Sequence, residues 1–274
     1  MKAISNNSLG NDDVAILVVS CDAYQDLWHP FFACFYKYWE DCPYPVYLGS
    51  NHTKYPDPVV HSVLIGGDID YSSNLIRMID QIPQEWLILW VEDRVLSKTV
   101  DTHRIAEFVC FSRQRKAGYV KLIATHPFSL LGEEGPGVGE IPKGAKYRIG
   151  ITVGLWRKRV LRELLLPGES AWQLEQFGSR RSDALKDTFY ALHYGRKTIP
   201  PLLDKHLVIK GRIIRDAIEF LMREGLDSYL TNRPIQSIGS FLYVKVYVAV
   251  LDSLAWVQWW WKYVSKSSPG DAHP

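Results

Sequence analysis

The sequence predicts an α/β fold with a mostly parallel central sheet flanked by helices. Continuous apolar runs at residues 14–20 and 86–91 are typical of strands that are buried on both faces. Helical apolar patterns lie between the strand patterns, and this alternation continues to about residue 125. Strands joined through helices in this way form parallel sheets with right-handed crossovers. The chain of 274 residues is long enough for one large domain or two small ones.

The first strand, at residues 14–20, ends at Ser20, Cys21 and Asp22, and an aromatic helix follows it. Five large apolar side chains share one face of this helix: Trp28, Phe31, Phe32, Phe35 and Trp39. Such a stripe can pack in the core or serve as a platform for a sugar. The regular helical spacing favours the core.

The alternation of strand and helix then continues to residue 124. A Cys-Pro-Tyr-Pro segment at residues 42–45 breaks the chain after the aromatic helix. Further strands are predicted at 46–50, 59–65, 86–91 and 119–124, and further helices at 71–81 and 101–117.

The second half of the chain is less regular. Residues 131–146 are rich in glycine and match no phosphate-binding loop, so they are expected to form a functional lid or a disordered loop. Next come a strand at 147–155, a helix at 157–166, a helical turn at 169–177 and a helix at 182–194. The resulting division is a flexible leader at 1–13, an α/β body at 14–215 and a helical appendage with a tail at 216–274.

Composition excludes several classes of function. The net charge of +2 argues against a general nucleic-acid binder, which needs a concentrated basic surface. Cys21, Cys34, Cys42 and Cys110 form no CxxC pair and have no histidine cluster near them, so they are interpreted as reduced thiols of a cytoplasmic protein. The polar start of the chain lacks the apolar segment of a signal peptide.

Two adjacent carboxylates end the apolar strand at residues 86–91. In open α/β sheets, ligands bind beyond the carboxyl ends of the strands, so the sheet is expected to present Glu92 and Asp93 at its functional edge. Two carboxylates there could hold a divalent cation or orient a sugar by hydrogen bonds. The alternative is an ordinary strand end that returns to solvent.

The order of these motifs along the chain is more specific than any one of them. An early strand ends near Asp22, and a later strand ends in the acidic doublet. Gly-Leu-Trp-Arg-Lys at 154–158, Pro-Gly-Glu-Ser-Ala-Trp-Gln-Leu-Glu at 167–175 and Gly-Ser-Arg at 178–180 follow. From about residue 14 to 215, this arrangement resembles the GT-A-fold (Rossmann-like) glycosyltransferases that use nucleotide sugars, in particular bacterial enzymes of surface-polysaccharide synthesis.

The resemblance implies that the acidic motif binds the donor diphosphate, usually through a divalent metal. Here the motif is Glu92-Asp93-Arg94, so the usual third acidic position holds arginine. Asp93 is the expected metal ligand, with Mn²⁺ or Mg²⁺ as the cation. Arg94 could instead contact the diphosphate directly, since a guanidinium pairs bidentately with phosphate.

The resemblance also implies the catalytic base and the sugar contacts. Glu175 is the expected base, which takes the proton of the acceptor hydroxyl during an inverting transfer. Trp156 and Trp172 are the expected contacts to sugar. Without the resemblance, Glu175 is equally interpreted as a surface glutamate of a helix.

Basic and polar residues are assigned to the donor in the same way. Candidates for stabilising the departing diphosphate are Arg180, Arg181, Lys210 and Arg212, with Gly211 allowing close approach of the backbone and His206 as a second metal ligand. The nucleotide is expected near Cys21, Asp22, Tyr24, Asn51 and Asn74. A UDP-sugar is the favoured donor.

The C-terminal segment at residues 238–266 is rich in tryptophan and tyrosine and is interrupted by Lys245 and Asp252, so a membrane-spanning helix is not expected. Its polar residues share an arc of about 140° on a helical wheel. Such an amphipathic helix could lie on the inner face of a membrane, or pack on the body or on a second copy in a homodimer.

Together these features predict a cytoplasmic glycosyltransferase that moves a sugar from a nucleotide sugar to a glycan or lipid-linked acceptor. Two alternatives stay open. One is a non-catalytic GT-A-like binding or assembly protein at the membrane, which the arginine in the acidic motif favours. The other is a glycoside hydrolase that pairs Glu175 with Glu92 or Asp93.

Overall fold

The computed structural model describes residues 11–123, 130–193, 199–202, 206–209, 211–230 and 233–239. The strands are β1 (Val14–Val19), β2 (Val46–Ser50), β3 (Val60–Leu64), β4 (Trp86–Val91), β5 (Tyr119–Lys121), β6 (Leu131–Glu134), β7 (Val138–Glu140), β8 (Gly154–Arg157), β9 (Phe189–Leu192), β10 (Val208–Ile209) and β11 (Arg212–Ile213). The helices are α1 (Trp28–Tyr38), α2 (Tyr71–Ile79), α3 (Thr102–Arg115), α4 (Lys158–Leu164), α5 (Ala171–Gln173), α6 (Ser179–Arg181) and α7 (Arg215–Glu224).

Strands β1 to β9 form one sheet in the order β3-β2-β1-β4-β8-β5-β9-β7-β6. The half from β3 to β4 is parallel throughout, and β8 and β7 run against the others. The predicted α/β class with a mostly parallel sheet is therefore confirmed. From β1, the chain proceeds outwards to β2 and β3 and then returns to place β4 on the other side of β1. This reversal creates a crevice between the carboxyl ends of β1 and β4, where ligands of open α/β sheets bind.

The two faces of the sheet carry separate cores, because successive side chains of a strand point to opposite faces. Ile16 and Val18 of β1 pack with α1, α3 and α7, whereas Leu17 and Val19 pack with α2 and α4. The aromatic stripe of α1 is buried as predicted, and Phe35 contacts Trp90 of β4 edge to face with ring centroids 6.0 Å apart. The stripe therefore belongs to the core and does not bind a sugar.

Helix α7 packs on the same core. Ala217, Phe220 and Leu221 are buried there, and Glu224 accepts hydrogen bonds from Lys37 (2.6 Å) and Tyr38 (2.9 Å) of α1. The expected boundary between residues 215 and 216 thus falls inside a segment that is packed on the body. Residues 240–274, which hold most of the expected amphipathic helix, lie outside the described residues. In the described part of the chain, no helix has the length and apolarity to cross a membrane.

Three predictions for the second half of the chain are wrong. Residues 131–146 do not form a lid, because β6 and β7 pair as an antiparallel hairpin at the edge of the sheet, with Gly135 and Gly137 in the left-handed region at the turn. The expected helix at 182–194 contains β9, whose four residues are all buried because β5 and β7 flank it. A short apolar run of this kind fits either a strand or a buried helix.

The third wrong prediction is the strand at 147–155, which begins only at Gly154. Side chains of the helical segment that follows accept hydrogen bonds from backbone N–H groups that would otherwise pair with a neighbouring strand. The Ile149 N–H donates to Ser179 Oγ (3.2 Å), and the Ile151 N–H donates to Glu175 Oε1 (3.0 Å). Residues 149–151 are consequently held as a loop against that segment.

The contact between α1 and β4 yields a test of the core. Replacing Phe35 with alanine should lower the free energy of unfolding by about 3–5 kcal/mol, because a fully buried ring leaves a cavity. Denaturation in urea measures the change. Phe177→Ala is the matched control, because that ring is partly exposed and its removal should cost less than about 1 kcal/mol. Equal losses in the two variants would contradict the assignment of Phe35 to the core.

Candidate functional site

A cavity of about 740 Å³ opens at the crevice between the carboxyl ends of β1 and β4. Its floor is formed by the residues that end these two strands, Ser20 and Cys21 after β1 and Glu92 and Asp93 after β4. The walls come from the start of α2, the loop at 151–152, the start of α5 and His206. Of the predicted donor residues, this cavity brings together Cys21, Tyr24, Asn74, Glu92, Asp93 and His206.

Asp22 and Asn51 fasten the ends of β1 and β2 to each other beneath this cavity. The Asp22 carboxylate accepts hydrogen bonds from the backbone N–H groups of Asn51, His52 and Thr53 and from the Thr53 hydroxyl. In return, Asn51 Oδ1 accepts from the Asp22 N–H (3.0 Å). Partial burial alone would raise the pKa of Asp22, but these hydrogen bonds hold it below its usual value. Both residues support the site and neither lines it.

Glu92 is buried at the floor of the cavity, with 8% of its surface exposed. Burial, together with the adjacent carboxylate of Asp93, raises the pKa of Glu92 to about 8. The Ser20 hydroxyl accepts a hydrogen bond from Trp28 Nε1 (2.8 Å) and lies beside the Glu92 carboxyl group. At neutral pH, Glu92 is therefore mainly protonated and can donate a hydrogen bond into the cavity.

Asp93 and His206 meet although 113 residues separate them in the chain. His206 Nδ1 lies 2.9 Å from Asp93 Oδ2, and the Leu207 N–H donates to the Asp93 carbonyl (2.8 Å). The other carboxylate oxygen, Oδ1, is buried and has no hydrogen-bond partner among the described residues. These are the two residues expected to ligate a metal, and Oδ1 is a hard oxygen with capacity for a cation. Within the described ranges, no group of three or more His, Cys, Asp or Glu side chains is arranged to hold a metal ion.

Arg94 is the last residue of the turn after β4 and does not line the cavity. Its N–H donates to the Val91 carbonyl (3.1 Å), and its own carbonyl accepts from Trp90 Nε1 (2.6 Å). A direct contact between Arg94 and a diphosphate stays a prediction, although Arg94 is not among the residues that line this cavity.

Tyr71 is a cavity residue that was not named as a candidate from the sequence, although it lies in the turn at 68–74 that was expected near the nucleotide. It is the first residue of α2, after the N-cap Asp70, whose carboxylate accepts from the Ser73 N–H (2.8 Å). Burial and the nearby carboxylates of Glu175 and Glu92 raise the pKa of Tyr71, and its hydroxyl has no hydrogen-bond partner among the described residues. Tyr71 could have been predicted from the sequence. A helix that begins directly after a strand has its first turn at the sheet edge where that strand ends, and Asp70 marks this helix start.

Glu175 lies in a helical segment that runs from Ala171 to Ala184 and contains a π-turn at Leu174–Gly178. Such turns occur frequently at functional sites. Its Oε1 accepts from the Ile151 N–H, and the buried Lys121 lies close enough to interact with its charge. Burial lowers the pKa of Lys121 to about 8, an effect that the nearby Glu175 carboxylate opposes. Glu175 is thus held next to Ile151, which lines the cavity, but it does not line the cavity itself.

The predicted basic residues separate into two groups. Arg181 belongs to the scaffold, because its guanidinium pairs bidentately with Glu169 (2.6 and 2.7 Å) and donates to the Leu164 carbonyl (2.6 Å). Arg180 is exposed and lines a different pocket. Neither arginine lines the cavity at β1 and β4.

After His206, the strands β10 (Val208–Ile209) and β11 (Arg212–Ile213) pair in an antiparallel hairpin. Gly211 lies in the left-handed region (φ 73°) at its turn, where the hairpin needs a glycine, and nothing approaches it closely. Arg212 is exposed on the hairpin, and Lys210 lies outside the described residues. Of the described residues in this segment, only His206 lines the cavity.

The two candidate tryptophans have opposite environments. The expectation that Trp156 contacts a sugar is wrong, because its ring is 1% exposed and packs on Tyr119, with ring centroids 4.1 Å apart. Trp172 projects from α5 with 63% of its surface exposed. Only Trp172 is accessible to a ligand.

Comparison with known proteins found no matching protein family and no similar curated protein. Several solved structures share part of the fold. Residues 1–349 of TarS from S. aureus are 10% identical (TM-score 0.44), with 66% of this chain and 60% of that chain covered. The mannosyltransferase PcManGT from Pyrobaculum calidifontis, solved with GDP-Man and Mn²⁺, is 12% identical (TM-score 0.46; 73% and 58% covered). A cytidylyltransferase from Leptospira borgpetersenii is 11% identical (TM-score 0.43; 82% and 99% covered).

The chain spans less than two thirds of the length of the TarS fragment. At these identities, and with TM-scores below 0.5, the likeness does not establish an activity.

The buried carboxyl group of Glu92 predicts a pH dependence of stability. The folded protein keeps a proton up to about pH 8 that the unfolded chain releases near its ordinary pKa of 4.5. This contribution to stability is complete below pH 4.5 and is lost as the pH rises towards 8, by at most about 1.4 kcal/mol per pH unit. Glu92→Gln should remove that part of the slope between pH 5 and pH 8.

Urea denaturation at pH 5, 6, 7 and 8 measures this difference between the wild type and the variant. Glu219→Gln, at an exposed position of α7, is the control and should leave the slope unchanged. Parallel pH profiles for the wild type and Glu92→Gln would show that Glu92 titrates in the folded protein as it does in the unfolded chain.

Proposed function

We propose that this protein is a glycosyltransferase that moves a sugar from a nucleotide sugar to a hydroxyl group of a glycan or lipid-linked acceptor. The observation that carries the proposal is the cavity at the topological switch point, where the ends of β1 and β4 present an acidic doublet beside His206. Its volume of about 740 Å³ falls in the range of small-molecule and cofactor sites. A UDP-sugar stays the favoured donor, with the nucleotide near Cys21, Tyr24 and Asn74.

The charge of this cavity constrains how a diphosphate can bind. Asp68, Asp70, Glu92 and Asp93 line it, whereas among the described lining residues His206 alone has a basic side chain. An anionic ligand is repelled by such a wall unless a cation lies between them. Asp93 and His206 would hold a divalent cation there with the diphosphate oxygens, and protonation of Glu92 removes a further negative charge. The cation would neutralise the charge that develops on the departing nucleoside diphosphate.

Glu175 is the proposed base. In an inverting transfer, the acceptor oxygen attacks the anomeric carbon, the bond from that carbon to the diphosphate oxygen breaks, and Glu175 takes the acceptor proton. The hydrogen bond from the Ile151 N–H to Oε1 fixes the orientation of the carboxyl group. Glu175 follows Gln173, a residue of the donor cavity, by two positions along the helical segment. This position suits a group that acts on an acceptor at the edge of the donor site.

Nucleotide binding is the first test. The melting temperature should rise by about 5 °C with one of UDP, GDP, dTDP or CMP at about one hundred times its Kd, because a ligand of the native state stabilises it by mass action. A panel with and without Mn²⁺ identifies the nucleotide and the need for metal. Asp93→Asn should remove the part of the shift that depends on Mn²⁺, and the exposed Asp12→Asn is the control. If no nucleotide shifts the melting temperature, the donor site is refuted.

The role of Glu175 is tested separately. Glu175→Gln keeps an oxygen that can accept from the Ile151 N–H but removes the base, so transfer should fall by about 10²–10⁴-fold. The nucleotide-induced thermal shift should persist. Sugar transfer from the donor identified above, measured by release of the nucleoside diphosphate, gives the rate. Glu40→Gln, at an exposed site, is the control.

Three outcomes separate the alternatives in this experiment. Full turnover in Glu175→Gln would show that another group is the base. Nucleotide binding without turnover in the wild type would favour the non-catalytic protein. Cleavage of a glycoside without any nucleotide would favour the hydrolase.

A further inference from the structure

We propose that a second pocket, beside Trp172, binds a saccharide that carries an anionic group, and that this saccharide is the acceptor. The pocket has a volume of about 290 Å³ and lies between the turn at residues 144–147 and the helical segment that contains Glu175. Its volume is at the lower end of the range for ligand pockets, which suits a single sugar unit. The role of this saccharide as acceptor rests on the proposed glycosyltransferase function, whereas the existence of a saccharide-binding site does not.

Two exposed aromatic rings stand at this pocket. Trp172 is 63% exposed, and Tyr147, which lines the pocket, is 39% exposed. Their ring centroids are 6.2 Å apart at an interplanar angle of 67°. Large aromatic rings that stay exposed beside polar groups are typical of binding surfaces, because a ligand that covers them buries apolar surface that folding has left in water. The apolar face of a sugar ring is a suitable cover.

The backbone of Tyr147 adds an independent sign of a binding site. Its φ is +52°, in the left-handed region that bulky side chains rarely adopt. Such conformations cluster at ligand sites, where the surrounding structure enforces them. The following residue provides that enforcement, because the buried Arg148 donates hydrogen bonds to the carbonyl groups of Ile141 (3.3 Å) and Ser182 (2.8 Å). The ring of Tyr147 is thereby presented towards solvent next to Trp172.

The charges at this pocket select an anionic ligand. Arg180 and Lys146 line it, and the side chain of neither makes a hydrogen bond or ion pair with any described residue. The acidic lining residue, Asp183, is already engaged, since its Oδ1 accepts from the Gly144 N–H (3.0 Å) and lies 3.8 Å from Arg148. The pocket therefore offers two cations and no uncompensated carboxylate. A carboxylate or phosphate on the sugar would pair with them.

The helical segment connects this pocket to the donor cavity. Ser170, Ala171 and Gln173 line the donor cavity, whereas Gln176, Ser179 and Arg180 line the second pocket. Glu175 lies between the two sets in the sequence, and Gln173 and Gln176 are about 5 Å apart along the helix axis. A sugar that occupies the second pocket can extend a hydroxyl group towards Glu175, the proposed base. The basic side chain of Arg180 thus serves the acceptor and not the donor diphosphate.

The test measures saccharide binding to the purified protein without nucleotide, by saturation-transfer NMR titration. The probes are a disaccharide that contains a uronic acid, a hexose phosphate, and the neutral disaccharide and hexose that match them. An anionic probe should bind at least about tenfold more tightly than its neutral counterpart, as expected for a hydrogen-bonded charge pair. The anion that binds more tightly, carboxylate or phosphate, identifies the anionic group.

Variants assign the binding to this pocket. Arg180→Gln should abolish the preference for the anionic probe, and Lys146→Gln should weaken it. Trp172→Ala should weaken binding of all probes by about tenfold, and Trp172→Phe should restore part of the loss. Lys98→Gln, at an exposed position outside both pockets, is the matched control and should bind like the wild type. These side chains are exposed, so unchanged melting temperatures will show that the variants fold.

The same variants separate this inference from the proposed function. Nucleotide-induced thermal shifts should persist in Trp172→Ala and Arg180→Gln, because neither side chain lines the donor cavity. Anionic and neutral probes that bind equally, no binding of any anionic probe, or an unchanged preference in Arg180→Gln would each overturn the saccharide pocket. Saccharide preference without any nucleotide shift would uphold the pocket and refute the transferase.

Discussion

The burial of β4 between β1 and β8 is the constraint on which the site depends. Residues 86–90 are at most 3% exposed, so the strand cannot shift along the sheet without exposing tryptophan or leucine. The chain must therefore emerge at the switch point, and the next two residues are carboxylates. Glu92 cannot turn to solvent from there, which is why its pKa is raised. The Leu207 N–H fixes Asp93 through its carbonyl, and the same segment delivers His206 to its carboxylate.

Charge is distributed unevenly between the two pockets. The arginines near the donor cavity are paired within the fold, Arg181 with Glu169 and Arg233 with Asp26. Arg233 also lies over the ring of Tyr24, at 4.5 Å from its centroid, and so rigidifies one wall. The donor cavity is left acidic, whereas the second pocket retains two cations, Arg180 and Lys146, that no described side chain pairs with. The acidic cavity favours a ligand that arrives with a cation, and the basic pocket favours an anionic ligand. The two pockets, at the two ends of one helical segment, can thus discriminate between two ligands by their charge.

Prediction from sequence succeeded where periodicity is long and failed where tertiary contacts override it. Strands β1 and β4 and helix α1 carry long, regular apolar patterns, and these fixed the class of fold and the edge of the sheet that holds the site. The strand β9 has only four residues, and the loop at 149–151 is held by side chains from a distant helical segment, which no local pattern reveals. The metal-ligand roles of Asp93 and His206 were expected only through a resemblance to a family, and the contact between the two side chains was not predicted. The burial of Trp156 and the separation of Arg180 from the donor cavity depend on packing that a single sequence does not display.

The π-turn at Leu174–Gly178 has a consequence for how this site can change over time. A π-turn holds one residue more than the α-helical turn it replaces, so it is equivalent to an insertion that the rest of the helix tolerates. The side chains before the π-turn and those after it therefore point in directions about the helix axis that are set independently of each other. Under the proposed function, substitutions on the far side can alter which saccharide binds while the near side keeps its orientation towards the donor cavity. Divergent descendants of this protein could thus exchange one substrate independently of the other.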